Sequence, residues 1–208
     1  MKLYDLTLSG HAHRARLMAS LLNVELQLIP VDLLNGAHKQ PEYLAKNPFG
    51  QVPTLEDGET TIYDSNAILV YLATKYDSTR TWYPEDPATA ALIQNWLSRA
   101  ANEVAHGPAK ARLVEVFNAP FESEPLIAKS TELLNIMDAH LSEREWFVTQ
   151  HPTIADVALY SYIAHAIEGG VNVPAFPNVT AWLNRVESLD GFLAMPKTDT
   201  LLKAQLVA

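Results

Sequence analysis

The sequence predicts an α/β domain followed by an all-helical one. Two observations carry this. Up to about residue 77, short strand-like segments alternate with apolar-periodic helices. Beyond residue 87 the apolar residues recur at helical spacing, and almost nothing reads as strand. Between the two lies DSTRTWYPEDP, whose prolines, acidic residues and small polar residues mark a linker. The expected division is a first domain at 1–77, a linker at 78–87 and a helical domain at 88–208.

The first domain opens with a strand at Lys2 to Leu6. His13 to Leu22 follows as a helix, with Leu17, Leu21 and Leu22 on one stripe. Glu25 to Pro30 alternates polar and apolar residues, the pattern of a second strand. Leu33 to Ala45 carries Gly36 and Pro41 and reads as loop with one turn of helix. Two short strands, Thr54 to Glu56 and Thr60 to Tyr63, flank Asp57-Gly58. That pair is a tight-turn signal, because glycine accepts positive φ without a Cβ penalty. A helix from Ser65 to Tyr76 closes the domain. Ser65 is its expected N-cap, with Asp64 beside it at the positive end of the helix dipole. The order βαβ, irregular, ββα predicts a mixed sheet with one right-handed crossover.

In the second domain Leu92, Ile93, Trp96, Leu97, Ala100 and Val104 fall on one helix. Leu126, Leu133, Leu134, Met137 and Leu141 fall on another, and Pro120 and Pro125 separate the two. Thr153-Ile154-Ala155-Asp156 has the form of a capping box, which predicts a structural role for Thr153 and Asp156. Val157 to Ile167 is apolar on nearly every side, as expected of a buried central helix. Pro174 and Pro177 break the chain before an amphipathic segment at Val179 to Leu189.

Composition removes several functions. With 48% hydrophobic residues, 208 residues suffice for a sizeable core. No apolar run reaches the roughly 18 residues of a membrane span. The start, MKLYDLTLSG, reads as a strand and not as an export signal, so a cytoplasmic place is expected. The absence of cysteine excludes a protein thiol nucleophile, a disulfide relay and a thiolate metal site, and no metal is expected. A net charge of −9, spread over both halves, argues against nucleic-acid binding. No basic amphipathic helix suggests a membrane surface.

The most informative stretch is NPFGQVPTLEDGETTIYDSNAILVYL at residues 47–72. It combines an irregular segment, a Val52-Pro53 step, a hairpin and a helix start at Asp64-Ser65. A helix N-terminus with free N–H groups holds a carboxylate, Asp64 can hold an ammonium, and the backbone beside Pro53 can pair with an extended peptide. Those are the needs of a small zwitterionic peptide. The ordered combination resembles the glutathione-binding region of the cytosolic glutathione transferases, down to the VP step and the acidic-residue–serine pair. The box TIAD before an apolar helix, and FPNVTAWLNRV after it, resemble that family's C-terminal pattern. The resemblance covers nearly the whole chain. It implies a thioredoxin-like first domain with Pro53 in the cis form, glutathione as co-substrate, no metal, a role in detoxification and a homodimer. It implies that the helices Ser65 to Tyr76 and Leu92 to Val104 supply much of the subunit contact.

The chemistry needed is ionisation of a thiol, whose ordinary pKa is about 8.5. A donor to the thiolate should stand just after the first strand. In LSGHAHRAR, Ser9 occupies the place of the catalytic serine of the serine-type classes (phi, theta and their bacterial relatives). The spacing from Ser9 to Arg14 and on to Gly36-Ala37-His38-Lys39 resembles the phi pattern. Ser9 also suits an N-cap of the first helix, and Tyr4 and His11 are competing donors. His13 reads as a solvated loop histidine. Carried over by the resemblance, His38, Lys39 and Gln51 contact the glycine carboxylate. Val52 and Pro53 meet the cysteinyl part, Asp64 takes the γ-glutamyl ammonium and Ser65 its carboxylate. An electrophile pocket is expected against the second domain. His11 and His106 are candidates for its wall, and Glu103 and Lys110 read as a solvated face. A polar wall would suit polar or acidic electrophiles. The expected activity is glutathione transfer. The alternatives are a glutathione-dependent isomerase, dehalogenase or peroxidase, or a non-catalytic binding or assembly domain on the same scaffold.

Overall fold

The computed structural model describes residues 1–198; residues 199–208, which the sequence places in the helical domain, lie outside the described residues. Strand β1 (Lys2–Asp5) leads into helix α1 (Gly10–Leu21), then β2 (Gln27–Pro30), a 3-10 turn at Ala37–Lys39, the short helix α2 (Pro41–Leu44), β3 (Thr54–Asp57), β4 (Thr60–Tyr63) and α3 (Ser65–Tyr76). The four strands form one mixed sheet in the order β2-β1-β3-β4. β1 runs parallel to β2 and antiparallel to β3, as in a thioredoxin-like domain. Gly58 supplies the positive φ (61°) at the first central position of the β3–β4 turn, and Asp57 pairs with Thr60 across it.

The remaining helices are α4 (Pro87–Arg99), α5 (Pro108–Phe117), α6 (Ser123–Leu141), α7 (Ile154–Ala164) and α8 (Pro177–Glu187). α4 starts earlier than its apolar stripe because Pro87 fits the first helical position and Asp86 accepts from Thr89 N. A π-turn at Ala100–Val104 continues it. Gly107-Pro108 then breaks the chain, so α5 is a separate helix, which the apolar pattern alone does not reveal. α6 likewise begins ahead of Leu126, and the apolar segment after Val157 ends as helix at Ala164 before a 3-10 turn at Ala166–Gly169.

Helix α7 is the hub. Every residue from Ile154 to Ile163 is buried, and it packs on α1 and α3 of the first domain and on α4 of the second. Thr153 and Asp156 form the reciprocal capping box. Asp156 does more than cap: its Oδ1 also accepts from Phe147 N (3.2 Å) and Trp182 Nε1 (3.0 Å). Where α1 crosses α7, Gly10 leaves room for the Tyr162 ring, which a Cβ would meet at 2.7 Å.

His13 differs from its expected solvated place. It is fully buried on α1, with Nδ1 2.8 Å from Ser161 Oγ and Nε2 2.7 Å from the Leu193 carbonyl. Helix α1 begins at Gly10, three residues early, so His13 falls inside it and faces α7. Burial lowers its pKa to about 4, leaving a neutral ring with Nε2–H as donor to the carbonyl.

Candidate active site

The first cavity, about 810 Å³, lies on the sheet domain. Its floor is the NPFGQ segment. Asn47 is buried beneath it and holds its curl: Oδ1 accepts from Phe49 N (3.0 Å), and Nδ2 donates to the Gln51 carbonyl (2.8 Å). Tyr43 Oη donates to the same carbonyl at 2.6 Å. Gly50 has φ 57°, and a Cβ there would come 2.7 Å from the His38 carbonyl, so the close approach requires glycine. Val52-Pro53 is cis, as the resemblance implied. The Val52 amide and carbonyl have no backbone partner among the described residues.

His38, Lys39, Gln51, Val52, Pro53, Asp64 and Ser65 all line this cavity. The structure thus brings together every residue assigned to the peptide. Lys39 Nζ lies 3.4 Å from the Phe49 and Gly50 carbonyls. His38 Nδ1 is buried without a partner. Burial, then the charge of Lys39, lowers the His38 pKa, so the ring is neutral near pH 7.

The start of α3 corrects the expected cap. Asp64, not Ser65, is the N-cap: with φ 81° its Oδ1 accepts from Asn66 N and Ala67 N, both at 2.9 Å. Ser65 is the first helical residue and is buried. The positive φ swings the carboxylate over the helix end, leaving the serine hydroxyl to point toward α1. Asp64 still lines both cavities, and its Oδ2 makes no hydrogen bond among the described residues.

Beneath Ser65 lies Arg14, 1% exposed. Its Nη1 donates to Ser65 Oγ (3.1 Å), Asn66 Oδ1 (3.3 Å) and His11 Nδ1 (3.2 Å), while Nε and Nη2 are buried without partners. Burial lowers its pKa to about 10, so it stays charged at neutral pH, with no carboxylate in salt-bridge contact among the described residues. Spacing marked Arg14 only as part of a pattern. An arginine among the apolar residues of α1 was the available signal, since arginine is seldom fully buried without a partner. His11 packs edge-on against Tyr162, with ring centroids 4.9 Å apart. Burial, then the charge of Arg14, lowers its pKa to about 3. Because Nδ1 accepts from Arg14, the proton of the neutral ring sits on Nε2.

The second cavity, about 670 Å³, lies between the β1–α1 loop and α5. It shares His11, Leu33, Gln51, Asp64 and Ser65 with the first, so the two adjoin. Ser9 lines this second cavity. It also caps α1, its Oγ accepting from Ala12 N at 3.2 Å, which leaves the hydroxyl proton free to donate. Tyr4 lines neither cavity. Strand alternation turns it to the other side of the sheet, where it donates to Glu56 (3.0 Å) and packs on Tyr43. His106 and Lys110 line the second cavity and Glu103 does not; it pairs with Arg99 at 2.6 Å. Leu8, Leu33, Leu34, Leu113, Phe117 and Tyr162 make the wall chiefly apolar.

The geometry defines the class of protein first. A thioredoxin-like domain carries a cavity lined with groups for a small zwitterionic peptide, and a helical domain sets a chiefly apolar cavity beside it. Comparisons with known proteins agree. The family models described as glutathione S-transferase, N-terminal domain and C-terminal domain match residues 1–74 and 111–190. The chain is 31% identical over 203 residues to glutathione S-transferase 3 of Zea mays, covering 92% of this chain and 91% of that protein. Among solved structures it is similar to a glutathione S-transferase from Pseudomonas fluorescens, at 30% identity and TM-score 0.88, covering 93% and 98% of the two chains. It is also similar to a glutathione transferase homologue from Drosophila mojavensis solved with bound glutathione, at 29% identity and TM-score 0.82, covering 90% and 87%. The chain belongs to the glutathione S-transferase family.

Proposed function

We propose that the protein is a serine-type glutathione transferase, in which Ser9 donates to the thiolate of bound glutathione and the second cavity holds the electrophile. The observation that carries this is the junction of the two cavities at His11, Asp64 and Ser65, with Ser9 facing the second. A sulfur held at that junction meets a free hydroxyl proton and the N-terminus of α1, both of which favour the anion. Asp64 Oδ2 takes the γ-glutamyl ammonium. The α3 N-terminus at Ser65 takes the adjacent carboxylate, whose charge the buried Arg14 offsets. Val52 pairs its free backbone groups with the cysteinyl unit. His38, Lys39 and Gln51 receive the glycine carboxylate. On this reading residues 1–77 bind glutathione, 78–87 link, and the helical domain from 88 onward shapes the electrophile pocket. The chiefly apolar wall suits apolar electrophiles with a polar end near His106 and Lys110.

A reaction that consumes reduced glutathione belongs in the cytoplasm, where that thiol is kept reduced, and detoxification of electrophiles is its natural use. We assign the protein to a homodimer as well. Phe49 is 66% exposed beside Tyr63, their rings 5.8 Å apart, and Leu92 on α4 is 52% exposed. A two-fold contact between subunits would cover these side chains.

Two measurements test the assignment. Glutathione at one hundred times its Kd should stabilise the fold by about 2.7 kcal/mol; an unchanged melt at every concentration removes the ligand. Ser9→Ala should keep that stabilisation but slow conjugation of a chlorodinitro-aromatic. Losing one donor to developing charge costs on the order of 100-fold in the clearest cases, and less where water shares the site. The apparent pKa of the rate should move toward that of free glutathione. Turnover on hydroperoxides, isothiocyanates and cis-enone acids separates conjugation from the peroxidase and isomerase alternatives.

A further inference from the structure

The loop that presents Ser9 is held from both domains. Within the first, Arg16 Nη2 donates to the Thr7 carbonyl at 2.7 Å, and Ser9 N donates to the Leu6 carbonyl at 2.8 Å. From the second, Arg112 on α5 donates Nη1 to the Leu8 carbonyl at 2.9 Å. The Leu8 carbonyl and the Ser9 amide belong to one planar peptide unit. That unit is therefore pinned at both edges, its N–H by Leu6 and its oxygen by an arginine 104 residues away.

Arg112 is itself fixed. Its side chain is 1% exposed, and Nε donates to Glu168 Oε2 at 2.6 Å. Gly169 lies so close to α5 that a Cβ there would stand 2.5 Å from Arg112 N. Glu168 also receives His165 Nδ1 (2.7 Å), Thr198 N (3.2 Å) and the Thr198 hydroxyl. Burial would raise the pKa of Glu168, but its donors His165, Thr198 and Arg112 outweigh burial and hold it at about 2. The carboxylate stays ionised, and the arginine keeps one orientation.

We propose that Arg112, oriented by Glu168, is a positioning residue for the thiolate donor, setting the Leu8–Ser9 peptide from the helical domain. Arg112 also lines the electrophile cavity, so one side chain joins the wall of that cavity to the donor. Its charge is neutralised by Glu168, so its effect comes through the carbonyl bond and not through a field at the sulfur. The inference rests on the reading of Ser9 as the donor.

The test is the thiolate absorbance of glutathione bound to the folded protein, followed against pH alongside kcat and KM. The variants are Arg112→Lys, which keeps a cation beside Glu168 but cannot span both partners, and Glu168→Gln. The double change Arg112→Met with Glu168→Gln removes the clamp without stranding a buried charge. Each is compared with Ser9→Ala. The clamp predicts that the thiol pKa moves toward the free value in all three variants. kcat falls on the order of 10- to 100-fold, as for a misplaced catalytic group, while KM for glutathione stays near wild type. Arg112→Lys should lie between wild type and the double change. If Ser9→Ala shifts the thiol pKa and no folded clamp variant does, Arg112 is structural only and the proposal fails alone. If Ser9→Ala leaves the pKa unmoved, the donor assignment and the clamp fall together. Should the double change fail to fold, Arg112→Lys and Glu168→Gln decide by the same readout.

Discussion

Arg14 and His13 sit one position apart on α1, and their surroundings give them opposite roles. Arg14 is a buried cation with two nitrogens free, so a ligand carboxylate above Ser65 would complete its environment. His13 is buried with both ring nitrogens bonded and lines neither cavity of the candidate site. A measurable pH dependence follows from His13. Its folded pKa, about 4, lies below the ordinary 6.5, so between those values the unfolded chain binds a proton that the fold refuses. Stability should fall as pH drops through that window, by up to about 1.4 kcal/mol per pH unit for this one group, and level off below it. His11, lowered to about 3, acts in the same sense. Asp57 and Glu168, both at about 2, contribute their loss only below the ordinary carboxylate range. Urea denaturation at several pH values checks this; a flat profile from 6.5 down to 4 would show that neither His13 nor His11 resists protonation in the fold. The sequence named Ser9, His38, Lys39, Gln51, Asp64 and Ser65 because each sits in a local pattern. It misplaced His13 because a histidine's burial depends on what packs across it, and Ser161 and Leu193 are remote in the chain.

At the scale of elements, the capping box of α7 was legible because its bonds close within four residues. Its full weight was not. Thr153→Ala should cost about 1 kcal/mol, the usual loss of an N-cap hydroxyl. Asp156→Ala should cost clearly more, because it strands buried N–H groups of Thr153, Phe147 and Trp182, each worth about 1–3 kcal/mol when unpaired. Thermal melts of both variants check the ranking, and whatever remains folded should bind glutathione like wild type. Equal melting of the two would mean that Asp156 is a cap and nothing more. The β3–β4 hairpin was equally legible, since Gly58 carries its own turn geometry. Helix α5 escaped because the apolar repeat of α4 runs through the π-turn, although Gly107-Pro108 was a signal in plain view. The cap of α3 was misread by one residue because serine and aspartate both suit the position, and only the φ of Asp64 chooses between them.

For the whole molecule, the exposed Phe49 predicts association. Light scattering should give about twice the 23.0 kDa of one chain, and Phe49→Asp should shift the population toward monomer without unfolding it. A wild-type mass near 23.0 kDa at micromolar concentration would defeat the dimer. Read alone, the sequence determined the two-domain layout, the mixed sheet, the buried helix α7 and a set of residues, His38, Lys39, Gln51, Val52, Pro53, Asp64 and Ser65, that line one cavity. These depend on hydrophobic period, turn chemistry and short motifs, all written over a few neighbouring positions. The tertiary structure alone decided that Tyr4 faces away from the cavities, that the second cavity is chiefly apolar, and that Arg14 and Arg112 reach the site from beneath and from across it. Those facts depend on how α1, α5 and α7 pack. Packing joins residues as far as 180 positions apart, as at His13 and Leu193, through contacts that no local pattern encodes.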